Sequence, residues 1–146
     1  MHINGVRRFD APPAVVFHAL TDPEAMAEAF SAIERIDVEG GEWTVIARPP
    51  FPGGFRLRFS VRFDDLREPE HARLFAWGKS IGGRISVASA FDLEPDEGGT
   101  LMRWTAEVDA AGIFSGLSSQ ALGPAAKRQA ERALDRLDRG LRVKAR

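Results

Sequence analysis

Few side chains in this sequence could do chemistry, and their spacing matches no common catalytic or metal-binding pattern. Cysteine is absent from the 146 residues, which excludes disulfides, thiolate nucleophiles and thiolate metal ligands. The three histidines, His2, His18 and His71, fall on a predicted strand, a helix and a loop. They lack the paired spacing that a metal site needs. We therefore expect no metal and no cofactor.

His18 is the one weak candidate for acid–base catalysis. It follows Phe17 on a predicted short helix that should border the interior, where an imidazole could act as a general base. A helical histidine beside a buried aromatic residue is more often half-exposed and inert. Asp64 and Asp65 more often cap a turn than form an acid–base pair. The sequence thus identifies no catalytic residue with any strength.

The sequence does supply an aromatic, apolar interior, with ten Phe and three Trp but no Tyr. Ser89 falls in the same inward phase as Val87 and Phe91, so its hydroxyl should either meet a ligand or bond to a backbone carbonyl, the commoner outcome. These residues could also simply fill a core. The interpretation we favour is an open cavity lined by Phe17, Leu20, Trp43, Phe51, Phe59, Ser89, Phe91, Trp104, Phe114, Leu117, Ala126, Ala130 and Leu134.

Hydrophobic periodicity predicts the elements that must position these side chains. Residues 2–9 predict a strand, Pro13 opens a short helix that ends at Leu20, and Asp22 caps a second short helix that ends at Phe30. Alternation of apolar and polar residues then predicts six strands, at 33–38, 43–48, 55–63, 74–80, 84–94 and 100–110.

A long amphipathic helix follows the last strand. At about 100° per residue, charged residues between 127 and 142 lie outside one narrow arc, and Asp138 with Arg142 predicts a solvated ion pair, as does Asp135 with Arg139. Such a helix needs a large apolar surface, so we predict an α+β fold with a curved antiparallel sheet of six or seven strands wrapped around it. The arc holds Leu122, Ala126, Ala130, Ala133, Leu134, Leu137 and Leu141.

Composition limits the domain count and the partners. With 44% hydrophobic and 28% charged residues, the chain fits one domain spanning 1–146. A net charge of −1 argues against nucleic-acid binding. No signal peptide or apolar run of about 18 residues is recognisable, so we expect a cytoplasmic protein without stable membrane insertion. Phe75 and Trp77 share one strand face, which suggests either a homodimer or accessory-protein contact or, more commonly, aromatics lying over their sheet neighbours.

The order of these elements resembles the helix-grip fold of the START-like or SRPBCC superfamily. The opening 5–24, with its Ala-Pro, Val-aromatic pair and Asp-Pro-Glu, is similar to the CoxG relatives associated with carbon monoxide dehydrogenase. The similarity covers nearly the whole chain, continuing through Leu66-Arg67-Glu68-Pro69-Glu70, Trp77-Gly78-Lys79, Leu93-Glu94-Pro95, Gly98-Gly99-Thr100 and Trp104-Thr105-Ala106-Glu107-Val108.

Three functions are compatible with the residues and the resemblance. The first is a binding or carrier protein for a small, largely hydrophobic ligand, with loops 49–54 and 113–116 as gates and an accessory role like that of CoxG. The second is an enzyme of the polyketide cyclase/dehydratase or hydrolase kind that the superfamily contains, using His18 or an inward acid. The third is an assembly factor that recruits a partner through Phe75, Trp77 and the basic tail formed by Arg142, Lys144 and Arg146. An apolar interior without catalytic groups favours the first.

Overall fold

The elements observed follow the predicted order. A computed structural model describes residues 1–49, 54–116 and 119–144, with the side chains of 123–143 in its last helix. These residues form β1 (His2–Phe9), α1 (Pro13–Leu20), α2 (Pro23–Ala29), β2 (Ile33–Glu39), β3 (Glu42–Ala47), β4 (Leu57–Arg67), β5 (His71–Ser80), β6 (Gly83–Asp96), β7 (Gly99–Gly112) and α3 (Ser119–Lys144).

The strands form one curved antiparallel sheet in the order β1-β7-β6-β5-β4-β3-β2. Strand β1 does not pair with β2, the next strand in the chain, but with β7. The pairing runs from His2 opposite Glu107 to Phe9 opposite Thr100. Strands β6 and β7, of 14 residues each, form the longest hairpin of the sheet. Together with α3, this sheet is the helix-grip arrangement that the sequence predicts.

The two short helices begin where the prolines and the Asp22 cap predict. Pro13 is the first residue of α1, following Pro12 in extended backbone conformation. At α2, the Asp22 carboxylate accepts a hydrogen bond from the backbone N–H of Ala25 at 3.3 Å. This bond satisfies one of the free N–H groups that a helix start leaves. The first helix carries Phe17 and Leu20 into the core.

The core is largest where α1, α2 and α3 meet strands β1, β7 and β6. There Phe91 and Trp104 pack with Leu134 and Leu137 of α3. A second group lies between β3, β4 and β5 around Trp43. A third holds Leu57, Ile85 and Phe114 near the tip of the β5–β6 hairpin. The apolar arc of α3 is therefore buried against the sheet.

Strands β4 and β5 extend further than the apolar alternation predicts. Pairing continues past Phe63, because Arg73 donates a hydrogen bond to Asp64 across the two strands at 3.0 Å. The register then shifts between Asp64 and Arg67, and Asp65 adopts a positive φ of 49°. Asp64 and Asp65 thus lie at a β-bulge within a strand. The predicted end of this strand at residue 63 is therefore wrong, and β4 continues to Arg67. Polar cross-strand pairs prolong the ladder without an apolar signal.

The prediction of a wholly solvated charged face on α3 is also wrong. Asp138 is only 1% exposed. Its carboxylate accepts hydrogen bonds from Arg142 at 2.7 Å, from Arg7 at 3.3 Å and from the backbone N–H of Asp10 at 3.3 Å. The donors Arg7 and Asp10 come from β1 and the residue just after it, and Arg7 also binds Asp135. Helix periodicity cannot reveal donors that come from a distant strand.

Candidate ligand-binding cavity

A cavity of about 380 Å³ lies between the sheet and the helices. Its volume falls in the range of roughly 300–1,000 Å³ that small-molecule sites occupy. Strands β4 to β7 supply one side, and α3 with the end of α2 supplies the other. The small residues Ala126 and Ala130 on α3 leave this space open, because a larger side chain there would reach across to the sheet.

Most of the predicted cavity residues that the structure describes do line this space. The inward phase of β6 brings Ser89 and Phe91 to it, and the apolar arc of α3 brings its small residues. The predicted residues on the cavity wall are Leu20, Phe59, Ser89, Phe91, Trp104, Ala126, Ala130 and Leu134.

Three predicted residues instead pack behind the lining. Phe17 is buried edge-to-face against Phe91, with ring centroids 5.9 Å apart. Trp43 packs against Phe63 at 5.1 Å. Phe114 packs against Phe55 at 5.4 Å, in the group with Leu57 and Ile85. These rings hold the wall residues in place. Phe51 and Leu117, with most of the predicted gate 49–54, lie outside the described residues.

The structure adds wall residues that the sequence analysis missed. Most are apolar residues on the inward phase of strands or at the end of α2. Gln129 is the informative exception, since it lies three residues after Ala126 and four before Ala133, on the same helix face. This spacing could have identified Gln129 as a cavity residue from the sequence. The added residues are Ile3, Met26, Phe30, Ala32, Pro49, Phe63, Leu74, Ile85, Val87, Met102, Ala106, Val108, Ala125 and Gln129.

The position of Trp104 depends on a glycine. Trp104 and Gly5 are cross-strand partners in β7 and β1. A Cβ atom added to Gly5 would lie 2.7 Å from the indole Nε1 and 2.8 Å from Cε2. Carbon atoms pack at about 3.5–4.0 Å. The indole therefore occupies the space that a side chain at position 5 would take.

Two polar side chains line the cavity among the described residues. The Ser89 hydroxyl donates a hydrogen bond to the Thr105 carbonyl at 2.8 Å, the commoner of the two predicted outcomes. Gln129 is partly buried, and its side chain has no hydrogen-bond partner among the described residues. The other described wall residues are aliphatic or aromatic, or are Met or Pro. The arrangement suits an apolar molecule that carries few polar groups.

The histidines do not converge on this cavity. His18 is exposed on α1 and is not among the wall residues. His71 lies beside Asp92 at 2.8 Å, and His2 lies beside Glu107 at 2.7 Å. Within the described part of the chain, no group of three or more His, Asp or Glu residues could hold a metal ion.

Phe75 and Trp77 form an aromatic pair on β5, away from the cavity wall. Their rings stack with centroids 6.1 Å apart, Arg62 lies 5.5 Å from the Trp77 ring and Arg73 lies 5.9 Å from the Phe75 ring. This is the predicted arrangement in which aromatics lie over their sheet neighbours. Trp77 keeps 42% exposure. The alternative homodimer or accessory-protein contact stays a prediction, which light scattering of the purified protein tests.

A seven-stranded antiparallel sheet that grips a long C-terminal helix around an apolar cavity defines the helix-grip class of proteins. The chain belongs to the family described as polyketide cyclase / dehydrase and lipid transport, which matches residues 1–142. Membership of this family indicates binding of a hydrophobic ligand. The narrower kinship with CoxG stays a prediction.

Solved structures share this fold at low sequence identity. A conserved protein from Geobacillus kaustophilus is 16% identical with a TM-score of 0.86, covering 98% of this chain and 96% of that one. A protein from Thermus thermophilus is 19% identical with a TM-score of 0.77 and 100% coverage of both chains. A Rhodobacter sphaeroides protein is 21% identical with a TM-score of 0.68, covering 97% and 92%. No curated protein sequence matches the chain. None of the described helices is long and apolar enough to cross a membrane.

Proposed function

We propose that this protein binds and carries a small, largely hydrophobic molecule in the cavity between the sheet and α3. The observation that carries the proposal is the nature of the described cavity wall, on which two of 22 residues, Ser89 and Gln129, have polar non-aromatic side chains. A water-filled space with such a wall is unfavourable, and an apolar occupant would replace that water.

A cavity of this size can bury enough apolar ligand surface to make binding favourable. Removing roughly 300 Å² of apolar ligand surface from water would contribute about 7 kcal/mol before the cost of association. The wall is held from behind by Phe17, Trp43 and Phe114, so little rearrangement is needed to form the site. A pre-formed site lowers the ordering cost of binding.

A carrier agrees better with the cavity than an enzyme does. General acid–base catalysis requires a titratable group within hydrogen-bond reach of the reacting atoms. No ionisable side chain is among the described wall residues. An enzyme of the polyketide cyclase/dehydratase or hydrolase kind is the alternative, supported by the family description. Undiminished turnover in a His18→Ala variant would remove the histidine that the sequence suggests for it.

We also propose a cytoplasmic setting and an accessory role like that of CoxG. The cysteine-free composition supports the first. The resemblance of residues 5–24 to CoxG relatives supports the second. Co-purification of carbon monoxide dehydrogenase or a related molybdenum enzyme with the tagged protein from its native cells would support the accessory role, and its repeated absence would count against it.

Native mass spectrometry of freshly purified protein tests the carrier function, followed by organic extraction of any bound compound. We expect a mass excess that yields one lipid-like or quinone-like compound. The Ala130→Trp variant, purified in parallel, should lack it because the indole would fill the cavity. If the wild-type protein carries nothing and also fails to bind uncharged hydrophobic fluorophores, the proposal is wrong.

A further inference from the structure

We infer that the cavity selects an uncharged amphiphile, one whose hydrogen-bonding end pairs with Gln129 and whose remainder is apolar. This inference rests on the proposed carrier function and goes further, because it specifies the head group of the ligand and the side chain that recognises it. An alcohol, a ketone or an ester of moderate length would fit, whereas a carboxylate, a phosphate or an amine would not.

The position of Gln129 is the first step of the argument. It lies on α3 between Ala126 and Ala130, and all three residues line the cavity. Gln129 is partly buried as a residue, and its carboxamide makes no hydrogen bond to any described residue. An apolar ligand would strip water from this group without replacing its hydrogen bonds, which is costly. A ligand that carries a matching donor or acceptor avoids that cost.

Ser89 cannot take over this role as a donor. Its hydroxyl hydrogen is directed at the Thr105 carbonyl, with an oxygen–oxygen distance of 2.8 Å. The hydroxyl oxygen keeps lone pairs and can only accept. Among the described wall side chains other than Trp104, the Gln129 amide is therefore the donor available to a ligand carbonyl or hydroxyl oxygen.

The absence of a counter-charge is the second step. Within the described part of the chain, no Asp, Glu, Lys, Arg or His lines the cavity. Segments 50–53 and 117–122 contain no charged residue in their sequence either. On α3, Lys127 pairs with Glu131 and Arg136 donates to the Ala29 carbonyl at 3.1 Å, while Arg128 and Arg132 are exposed and are not among the wall residues. A charged head group would be buried without a partner, which proteins avoid.

Dodecanol and dodecanoate test this inference, because they share an alkyl chain and differ in head-group charge. Each would displace N-phenylnaphthylamine, an uncharged fluorophore, at about pH 8, where the carboxylic acid is ionised. The wild-type protein should bind dodecanol at least about ten-fold more tightly than dodecanoate. Gln129→Leu should weaken dodecanol binding about three- to ten-fold, the effect of one net hydrogen bond, while leaving the affinity for the fluorophore nearly unchanged.

Gln129→Lys is the sharper variant, because it places a positive charge at the same position. It should reverse the preference, so that dodecanoate binds more tightly than dodecanol. Arg128→Leu and Arg128→Lys are matched controls at the adjacent, exposed residue of α3. Both should keep the wild-type ratio of dodecanol affinity to dodecanoate affinity. Circular dichroism of each variant verifies that the helix is intact.

The outcomes separate this inference from the proposed function. If the wild-type protein binds the fluorophore but prefers dodecanoate, or if Gln129→Leu weakens all three ligands alike, the head-group inference is wrong and the carrier function stands. The inference is equally wrong if the Arg128 variants change the ratio as much as the Gln129 variants do. If the folded wild-type protein binds neither the fluorophore nor dodecanol, both proposals fail.

Discussion

The ring of Phe59 lies against the backbone of Gly78, its cross-strand partner on the neighbouring strand β5. A Cβ atom added to Gly78 would come within 2.5 Å of the ring atom Cε1 and within 2.7 Å of Cδ1 and Cζ. Phe59 also lines the cavity. The missing side chain at position 78 thus determines where one aromatic part of the cavity wall can lie.

Gly78→Ala should therefore both destabilise the protein and narrow the cavity. The added methyl group would force the Phe59 ring away from β5, and overpacking of this kind costs about 1–3 kcal/mol. Urea denaturation measures the loss of stability. Weaker binding of a neutral fluorophore would report the narrower cavity. Gly140→Ala on α3 is the control, because a Cβ there meets nothing within 4 Å. It should raise stability by about 0.5–1 kcal/mol through helix propensity. Equal effects of the two substitutions would contradict this account of Phe59.

Ala130→Trp should abolish ligand binding while leaving the fold intact. Ala130 faces open space at the cavity wall, so an indole would take up the volume that a ligand needs. Calorimetric titration with dodecanol would show the loss, and the thermal midpoint would show whether the fold survives. Val143→Trp is the control on the same helix, at a residue 71% exposed, and should bind as the wild type does. Unchanged affinity in Ala130→Trp would place the ligand elsewhere.

Asp138→Ala should reduce stability by about 2–4 kcal/mol. The carboxylate is buried and accepts bonds from Arg7, Arg142 and the backbone of Asp10. Its removal breaks two charge-assisted bonds at a buried site and leaves the Asp10 N–H without this acceptor. The helix would also lose its link to β1. Asp135→Ala is the comparison, since this side chain is 54% exposed and should cost less than about 1 kcal/mol. If urea denaturation shows similar losses of unfolding free energy for both variants, burial does not make Asp138 more important for stability than Asp135.

Arg56→Ala should raise the pKa of Glu34. Arg56 donates two hydrogen bonds to this carboxylate, at 3.0 and 3.1 Å, and this contact holds the Glu34 pKa below its ordinary value of 4.5. Because the pKa of Glu34 is lower in the folded protein than in the unfolded chain, its ionised form stabilises the fold at pH values above the unfolded-state pKa. This contribution is lost as the pH falls below about 4.5 and through the folded-state pKa. Carboxyl chemical shifts followed by NMR would report the change. Arg103→Ala, which removes a pair with Glu94, should leave the Glu34 titration alone.

The order and type of the elements follow from the sequence because they depend on local patterns. The alternation along residues 84–94 identifies the inward face that carries Ser89 and Phe91, and the arc on α3 identifies Ala126, Ala130 and Leu134. Proline and Asp22 mark the starts of the short helices. Each of these signals lies within a few residues of the feature it predicts, so no distant contact is needed to interpret it.

Only the tertiary structure decides which inward side chains line the cavity and which fill the space behind them. Leu20 and Phe17 are neighbours on one buried helix face, yet Leu20 lines the cavity and Phe17 packs behind Phe91. The burial of Asp138 depends on Arg7 of a strand far earlier in the chain, since their separation is 131 residues. A cavity forms where the surfaces of two distant elements fail to meet. Its boundary therefore depends on the long-range register of the sheet and on the placement of α3, which periodicity along the chain does not encode.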